Sequence, residues 1–359
     1  MISGKGILAM LYLNNTALKM KEKKELNVAY IGGSVTQGYG SSNGREKSWP
    51  TLVSRWLEET YGVKVNFVNA GIGGTASYLA NFRFDTDVAP IKPDLFFIEF
   101  AVNDYYEDFD YRTVRRQSES LLAKAYALNP NMDVVYAFTY DLHYDTADYP
   151  QLRAHRDVAD RNGLLSIKFS DFIYAKCRET GENPHDFYID WVHPNDYGYK
   201  TYAEIVESVL AKELEACKGA AKLVSHSLVA VSDGLLTGAH IITGEKAYDL
   251  SGWTFEEKGM RYGGHLIAEK PGSTCKVDFE GTDFGLFYNA GENCGRLQFV
   301  VDGTERLIVD TYLWHENCKE KPIFTCLAPG KHTVEVTLLE DKNGKSGGNK
   351  AEIGAFLVG

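Results

Sequence analysis

The alternation of strand-like and helix-like segments over the first 217 residues constrains the fold more than any other feature. Segments of helical pattern separate short apolar runs that have the length and composition of buried strands. These runs lie at residues 28–31, 65–68, 94–100, 134–138 and 164–167. Strands that alternate with helices pair in parallel, because a crossover is needed to return the chain to the same end of the sheet. The sequence therefore predicts a three-layer α/β domain.

Helix signals fall between the strand-like runs. Ser48 is a predicted N-cap, and Pro50 suits the first turn that follows because that turn does not need its N–H. A long helix is predicted over about residues 111–128, where Asn129 and Pro130 end it. A last helix is predicted over about residues 195–217. These helices supply the crossovers that a parallel sheet requires.

The pattern changes after residue 222. Helical periodicity disappears, and short alternating runs are separated by glycine-rich turns up to the C-terminus. Val301-Asp302-Gly303-Thr304 is a turn signal between two such runs. This spacing is typical of an antiparallel β-sandwich. We therefore divide the chain into residues 1–220 and residues 221–359.

Composition limits the classes of partner. The 359 residues carry a formal net charge of −11, and the sequence contains no long continuous run of lysine and arginine. Nucleic-acid binding needs a basic footprint, so that class of partner is disfavoured. No apolar run approaches the roughly 18 residues that a membrane-spanning helix needs. We expect neither nucleic acid nor a membrane among the partners.

Residues 7–13 are the candidate for a targeting signal. One lysine precedes this apolar run, and Asn14, Asn15 and Thr16 follow it in place of a small-residue cleavage pattern. We therefore predict a packed amphipathic helix there and expect a cytoplasmic protein.

The six cysteines give no metal-binding pattern. They stand at positions 177, 217, 275, 294, 318 and 326, without a Cys-x-x-Cys pair, so no zinc site is predicted from them. Reduced, buried thiols are the expectation for a cytoplasmic protein. One or two disulfides among Cys275, Cys294, Cys318 and Cys326 remain the alternative.

Ser34 directly follows the first strand-like run, within Gly32-Gly33-Ser34-Val35. Small residues let a chain turn sharply after a buried strand, which exposes a hydroxyl at the edge where open α/β sheets bind ligands. Far downstream, Asp190 and His193 stand three residues apart, a spacing that lets a carboxylate orient an imidazole. The chain thus offers a candidate nucleophile and a candidate base.

Two further segments offer hydrogen-bond donors. Gly71, Gly73 and Gly74 form a turn after the second run, and Asn103 presents an amide after the third. Acyl transfer needs such donors, because the tetrahedral intermediate carries a negative charge on oxygen. Taken singly these are ordinary turn residues. Their placement at neighbouring strand ends favours one active site.

The four segments resemble the sequence blocks of SGNH (GDSL-type) hydrolases, over roughly residues 27–215. The resemblance implies a flavodoxin-like parallel sheet and a serine esterase without a metal or other cofactor. It implies a catalytic triad of Ser34, His193 and Asp190. It also implies an oxyanion hole formed by Ser34, Gly74 and Asn103, with Gly73 as the alternative glycine. The usual Gly-Asp-Ser-Leu is Gly-Gly-Ser-Val here, which resembles the carbohydrate-esterase branch more than the lipase branch.

The C-terminal part and the aromatic residues extend this resemblance. Residues 279–286 and 300–303 resemble jelly-roll modules that accompany some SGNH acetyl esterases acting on plant polysaccharides. Residues 221–359 are therefore expected to form an accessory sandwich that either contacts carbohydrate or only packs beside the catalytic domain. Aromatic side chains near the blocks are candidates for stacking on sugar rings: Tyr39, Trp49, Tyr105, Tyr106 and Trp191.

Other classes of protein fit the sequence less well. The glycines after the first strand do not follow a dinucleotide-binding or Walker pattern. A metal site of His185, Asp186, Asp190 and His193 would leave Ser34 and Asn103 without a role. A non-catalytic carbohydrate-binding protein would not need a base with its own carboxylate.

The prediction is thus deacetylation of an ester substrate that is a small molecule or an oligosaccharide, such as acetylated xylo-oligosaccharides. The alternative is a lipid esterase or a thioesterase of the same superfamily. A short acyl group is favoured, because no long apolar stretch beside the blocks suggests a tunnel for an acyl chain.

Overall fold

The computed structural model describes residues 11–144 and 147–359 and divides the chain into two compact units. The first unit contains the described residues up to Gly73 and Thr86–Leu235, and the second contains Gly74–Asp85 and Leu236–Gly359. The predicted N-terminal helix over residues 7–13 falls largely outside the described residues, and residues 11–13 are not helical. Among the described residues no helix is long and apolar enough to cross a membrane.

The first unit is built on a parallel sheet. Its strands are β1 (Glu25–Gly32), β2 (Lys64–Gly71), β3 (Leu95–Glu99), β4 (Asp133–Phe138) and β5 (Leu165–Lys168). They pair in the order β2-β1-β3-β4-β5, and every pair is parallel. This is the flavodoxin-like order, in which ligands bind beyond the carboxyl ends of the strands where the order reverses. The predicted α/β fold is confirmed.

Helices connect these strands. They are α1 (Asn14–Lys23), α2 (Ser34–Gln37), α3 (Gly44–Lys47), α4 (Trp49–Tyr61), α5 (Ser77–Asp87), α6 (Ala101–Tyr106), α7 (Tyr111–Leu128), α8 (Pro150–Arg161), α9 (Phe169–Thr180) and α10 (Asp196–Ala216). Helix α4 follows Ser48 as predicted, although the Ser48 side chain makes no capping bond. Helix α10 begins where the Asn195 side chain accepts the Gly198 N–H at 2.9 Å.

The core of the first unit lies between the sheet and its helices. The rings of Tyr30 on β1 and Phe97 on β3 stack with their centroids 4.8 Å apart. Trp49 from α4 packs edge-on against both and is fully buried. These contacts hold the carboxyl ends of β1 and β3 in register, with Gly32 opposite Glu99. That register sets the positions of the loops that leave the two strands.

The second unit contains two antiparallel sheets. Its strands are β6 (His240–Thr243), β7 (Tyr248–Ser251), β8 (Trp253–Glu256), β9 (His265–Ala268), β10 (Thr274–Gly281), β11 (Phe284–Ala290), β12 (Arg296–Val301), β13 (Glu305–Asp310), β14 (Asn317–Phe324), β15 (Gly330–Leu338) and β16 (Ala351–Val358). One sheet has the order β13-β12-β15-β10-β7 and the other β14-β11-β16-β9-β8, with β6 also paired to β16. The predicted all-β region is confirmed.

Both sheets contribute to one core, as the alternation along their strands predicts. On β10, Cys275, Val277 and Phe279 are buried, whereas the residues between them are more exposed. Phe284 on β11 and Phe356 on β16 belong to the same cluster of buried side chains. A buried face from each sheet makes this unit a sandwich.

The unit boundary differs from the predicted division at residue 220. Residues 221–235 have no strand and extend along the first unit, where the Val224 N–H donates to Asn15 Oδ1 at 2.8 Å. The Val231 N–H donates to Glu119 Oε1 at 3.0 Å. Polar side chains of the α/β unit thus hold this segment, which the change in composition alone did not reveal.

All six cysteines lie in the described part of the chain and have free thiols. Four are buried, whereas Cys318 is partly exposed and Cys326 is exposed.

Candidate active site

Ser34 is the first residue of α2 and follows β1 through Gly32 and Gly33. Both glycines have neighbours so close that a side chain would overlap them. A β-carbon on Gly32 would overlap the Thr36 hydroxyl and lie 2.8 Å from the backbone oxygen of Glu99. A β-carbon on Gly33 would overlap the Asn103 side-chain amide. A side chain at position 32 would therefore collide with Thr36 and the Glu99 backbone, and one at position 33 would displace the Asn103 amide.

His193 lies beside Ser34, as the sequence predicts for a base. Ser34 Oγ and His193 Nε2 are 2.9 Å apart, and His193 Nδ1 is 2.7 Å from Asp190 Oδ2. With the proton on Nδ1, where the carboxylate accepts it, Nε2 is free to accept the hydrogen bond of the serine hydroxyl. The three side chains thus form a continuous hydrogen-bonded chain.

Backbone groups fix the Asp190 carboxylate. Its Oδ1 accepts the N–H of Val192 at 2.8 Å and the N–H of His193 at 2.7 Å. Partial burial opposes its charge, but these bonds and the His193 ring outweigh burial and lower the pKa of Asp190. The carboxylate is therefore ionised at neutral pH and can stabilise a positive charge on His193.

Asn103 lies on α6, one turn after β3, with its amide against Gly33. The first unit thus brings together Ser34, His193, Asp190 and Asn103, all of which the sequence predicted as site residues.

Gly73 also lies close to Ser34, since a β-carbon added there would be 3.6 Å from the serine β-carbon. Its N–H, however, donates to the Gln37 side chain at 2.9 Å. Gly74 has a left-handed backbone, with φ of +72°, and is the first residue of the second unit. Its role as an oxyanion donor stays a prediction.

Of the predicted aromatic contacts, Tyr39 packs against His193, and Trp191 precedes His193 by two residues in the chain. The Tyr39 ring is 58% exposed, and its centroid is 4.7 Å from that of His193. Trp191 stands between Asp190 and His193 in the chain and is 48% exposed. Both have ring surface available to a ligand.

The prediction that Trp49 contacts substrate is wrong. Its ring is fully buried in the core, where it packs on Tyr30, Phe97 and Phe169. A side chain with no exposed surface cannot stack on a sugar.

Tyr105 and Tyr106 lie on α6 just beyond Asn103. Tyr105 is partly buried, and its hydroxyl is hydrogen-bonded to that of Tyr144. Tyr106 is 56% exposed, and its hydroxyl donates to Asp141. Only Tyr106 offers a largely exposed ring here.

The sequence analysis missed Asp141 and His143. Asp141 is buried, and its Oδ1 accepts both the His143 N–H at 2.8 Å and the His143 ring at 2.7 Å. The His143 ring stacks on Trp191 with centroids 3.9 Å apart. Their position just after β4, at the ligand-binding edge of the sheet, was the signal that would have found them.

Asp186 and His185, which were considered from the sequence as metal ligands, make other contacts. Asp186 accepts the N–H of Asn183 in a capping box, and the His185 ring packs against Trp191. Among the described residues, no group of three or more histidine, cysteine, aspartate or glutamate side chains is arranged to hold a metal.

Comparison with known proteins gives the family and the fold that this chain resembles. Residues 30–201 match the model of the GDSL-like lipase/acylhydrolase family. The resemblance inferred from the motifs is thereby confirmed: this segment is similar to the GDSL-like lipases and acylhydrolases. No curated protein matched the sequence.

Two solved structures resemble nearly the whole chain. One is a two-domain esterase (CEX) active on acetylated mannans, with 23% identity, a TM-score of 0.81, and coverage of 96% of this chain and 95% of that one. The other is the same kind of esterase co-crystallized with mannopentaose, with 22% identity, a TM-score of 0.80, and coverage of 96% and 94%. The chain therefore shares the two-domain fold of these esterases.

Proposed function

We propose that this protein is a serine esterase that removes acetyl groups from carbohydrates, such as acetylated xylo- or manno-oligosaccharides. The observation that carries the proposal is the hydrogen-bonded chain from Ser34 through His193 to Asp190. Such a chain is needed to remove a proton from a hydroxyl during nucleophilic attack.

In the proposed reaction, Ser34 Oγ attacks the acetyl carbonyl carbon while His193 Nε2 takes the serine proton. Asp190 stabilises the imidazolium that results. The tetrahedral intermediate collapses when His193 returns the proton to the sugar oxygen, which leaves as an alcohol. A water molecule, activated by the same histidine, then releases acetate from Ser34.

The developing oxyanion needs donors close to Ser34. The Ser34 N–H is at the first turn of α2, where helix N–H groups are unpaired, and the Asn103 amide is held against Gly33. Since the Gly73 N–H is already bonded to Gln37, the Gly74 N–H is the remaining glycine donor of this turn. These donors stabilise charge that exists only in the transition state and in the intermediate.

A carbohydrate substrate is supported by exposed aromatic residues: Tyr39, whose ring packs against His193, and Trp191, which lies between Asp190 and His193 in the chain. Aromatic faces bind the apolar faces of sugar rings. The structural neighbours that act on acetylated mannans favour the same class of substrate. A lipid esterase or thioesterase is the second candidate, because the matched family also contains lipases.

The deciding experiment measures kcat/KM on p-nitrophenyl acetate, a long-chain p-nitrophenyl ester, and acetylated xylo- and manno-oligosaccharides. We expect activity on the short ester and release of acetate from the oligosaccharides. Preference for the long chain would refute the carbohydrate proposal in favour of the lipid esterase. Sugar binding without hydrolysis would indicate a non-catalytic binding protein. Ser34→Ala is the control, and an active, folded Ser34→Ala protein would refute the triad.

A further inference from the structure

Glu99 is a buried carboxyl directly behind the nucleophile, and the proposed chemistry does not use it. It is the last residue of β3, opposite Gly32 at the end of β1, and its exposure is 1%. Among the described residues, no lysine, arginine or histidine forms an ion pair with it. A buried carboxylate without a cation is costly unless hydrogen bonds stabilise its charge.

Hydrogen-bond donors surround this carboxyl. Thr36 Oγ1 donates to Glu99 Oε2 at 2.8 Å, and Thr139 Oγ1 donates to Oε1 at 2.7 Å. The backbone N–H groups of Gly33 and Thr36 also hydrogen-bond to it. An ionised carboxylate has about four acceptor positions, and these four donors match them. A protonated carboxyl would have fewer acceptor positions and would need an acceptor for its own proton.

The same donors shape the turn that carries Ser34. Gly33 and Thr36 flank the nucleophile at the start of α2, and the Thr36 hydroxyl reaches Glu99 through the space left by Gly32. Glu99 is also followed by Phe100, the residue that precedes α6 and its Asn103. One carboxyl thus connects the turn of the nucleophile with the strand that leads to the proposed oxyanion donor.

We propose that ionised Glu99 is a positioning residue that fixes the Ser34 turn for attack, and that its protonation loosens this turn and lowers activity. The proposal rests on Ser34 being the nucleophile.

Two opposing effects set the pH at which Glu99 titrates. Burial raises the pKa of Glu99 to about 7, although the four hydrogen bonds oppose that rise. The other titratable side chains whose charge acts on it are the phenols of Tyr149, Tyr199 and Tyr202, which burial keeps neutral by raising each pKa. Glu99 therefore changes charge near neutrality, while these three phenols stay neutral.

The experiment compares pH profiles of kcat/KM on p-nitrophenyl acetate for the wild type and Glu99→Gln. If His193 and Glu99 must both lose a proton, activity falls about a hundredfold per pH unit at low pH, against about tenfold for one group. We expect Glu99→Gln to show the shallower fall, with kcat reduced by about 10–100-fold and KM little changed. An unchanged profile and an unchanged kcat would overturn the proposal.

Thr139 provides a second test that leaves the carboxyl in place. Thr139→Val keeps the side-chain shape but removes one donor from the ionised form, so the low-pH fall in activity should move to higher pH. Thr139→Ser retains a hydroxyl and should restore the wild-type profile. If Glu99→Gln fails to fold, the two Thr139 variants test the proposal instead. Identical pH profiles for Thr139→Val, Thr139→Ser and the wild type would overturn it.

Ser34→Ala separates this proposal from the proposed function. An active Ser34→Ala protein would refute both the triad and the role of Glu99. An inactive Ser34→Ala protein together with unchanged Glu99 and Thr139 profiles would refute the positioning role alone.

Discussion

The side-chain amide of Asn103 occupies the space that a side chain on Gly33 would need. The residue before the proposed nucleophile and the proposed oxyanion donor therefore constrain each other. A glycine at position 33 lets an amide from the end of β3 approach the start of α2. In this chain, Gly33 therefore leaves room for the Asn103 side chain.

Gly33→Ala should lower kcat, because the new methyl group displaces the Asn103 amide. Loss of one oxyanion donor costs about 10²–10³ in kcat, which is the upper limit expected here. Gly219→Ala is the matched control, since a β-carbon there has no neighbour within 4 Å. Steady-state kinetics on p-nitrophenyl acetate measure the effect, and equal kcat values for the two variants would contradict the proposed position of Asn103.

Asp190→Asn should lower kcat by about 10³–10⁴ while the protein stays folded. An amide can donate to His193 Nδ1 and so favour the tautomer whose Nε2 carries the proton, which prevents that atom from accepting the Ser34 proton. Asp160→Asn is the control, because Asp160 is an exposed aspartate on α8. A variant at position 190 that keeps more than about a tenth of wild-type kcat would show that the carboxylate does not orient the base.

The fold was predictable where elements are long or strongly apolar. Helix α7 has the predicted bounds, since its eighteen residues give the apolar pattern several turns to repeat. Helices α2 and α6 have four and six residues, too few for a helical period to be recognised, and they were missed. The first unit ends at Leu235 and not at the predicted residue 220, because side chains distant in sequence, such as Glu119, bind the segment that follows residue 220.

The proposed catalytic residues could be selected from the sequence because each follows a strand or lies in a short motif. Trp49 was misassigned since nearness in sequence to Ser34 says nothing about which side of α4 faces the core. Glu99 and Asp141 were missed because a buried carboxylate is recognised by its donors, and Thr139 and Tyr106 are distant from them in sequence. Such donors come close only when the chain is folded.

Trp191→Ala should raise KM for acetylated oligosaccharides by about tenfold and leave KM for p-nitrophenyl acetate nearly unchanged. A stacked sugar ring is worth on the order of 1 kcal/mol, whereas the small ester has no ring to place on this exposed surface. Trp49→Phe is the matched control, because it replaces a buried indole with a smaller ring and should lower the unfolding temperature without changing either KM. Parallel rises in both KM values would indicate that Trp191 supports the Asp190–His193 loop instead of binding sugar.

The free energy of unfolding of the Glu99→Gln protein, relative to that of the wild type, should increase as pH rises. Burial raises the pKa of Glu99 to about 7 in the folded protein, from 4.5 as the ordinary value. The folded state therefore binds this proton more tightly than the unfolded state does. Its contribution to stability is fully present below about pH 4.5 and is lost as pH rises through about 7.

Glutamine does not titrate, so the difference between the two proteins isolates this one group. Urea unfolding of both proteins at about pH 5 and about pH 8 measures that difference. We expect the free energy of unfolding of Glu99→Gln, minus that of the wild type, to be larger at the higher pH. A difference that stays constant would mean that the hydrogen bonds from Thr36 and Thr139 fully compensate burial, and that Glu99 is ionised throughout this range.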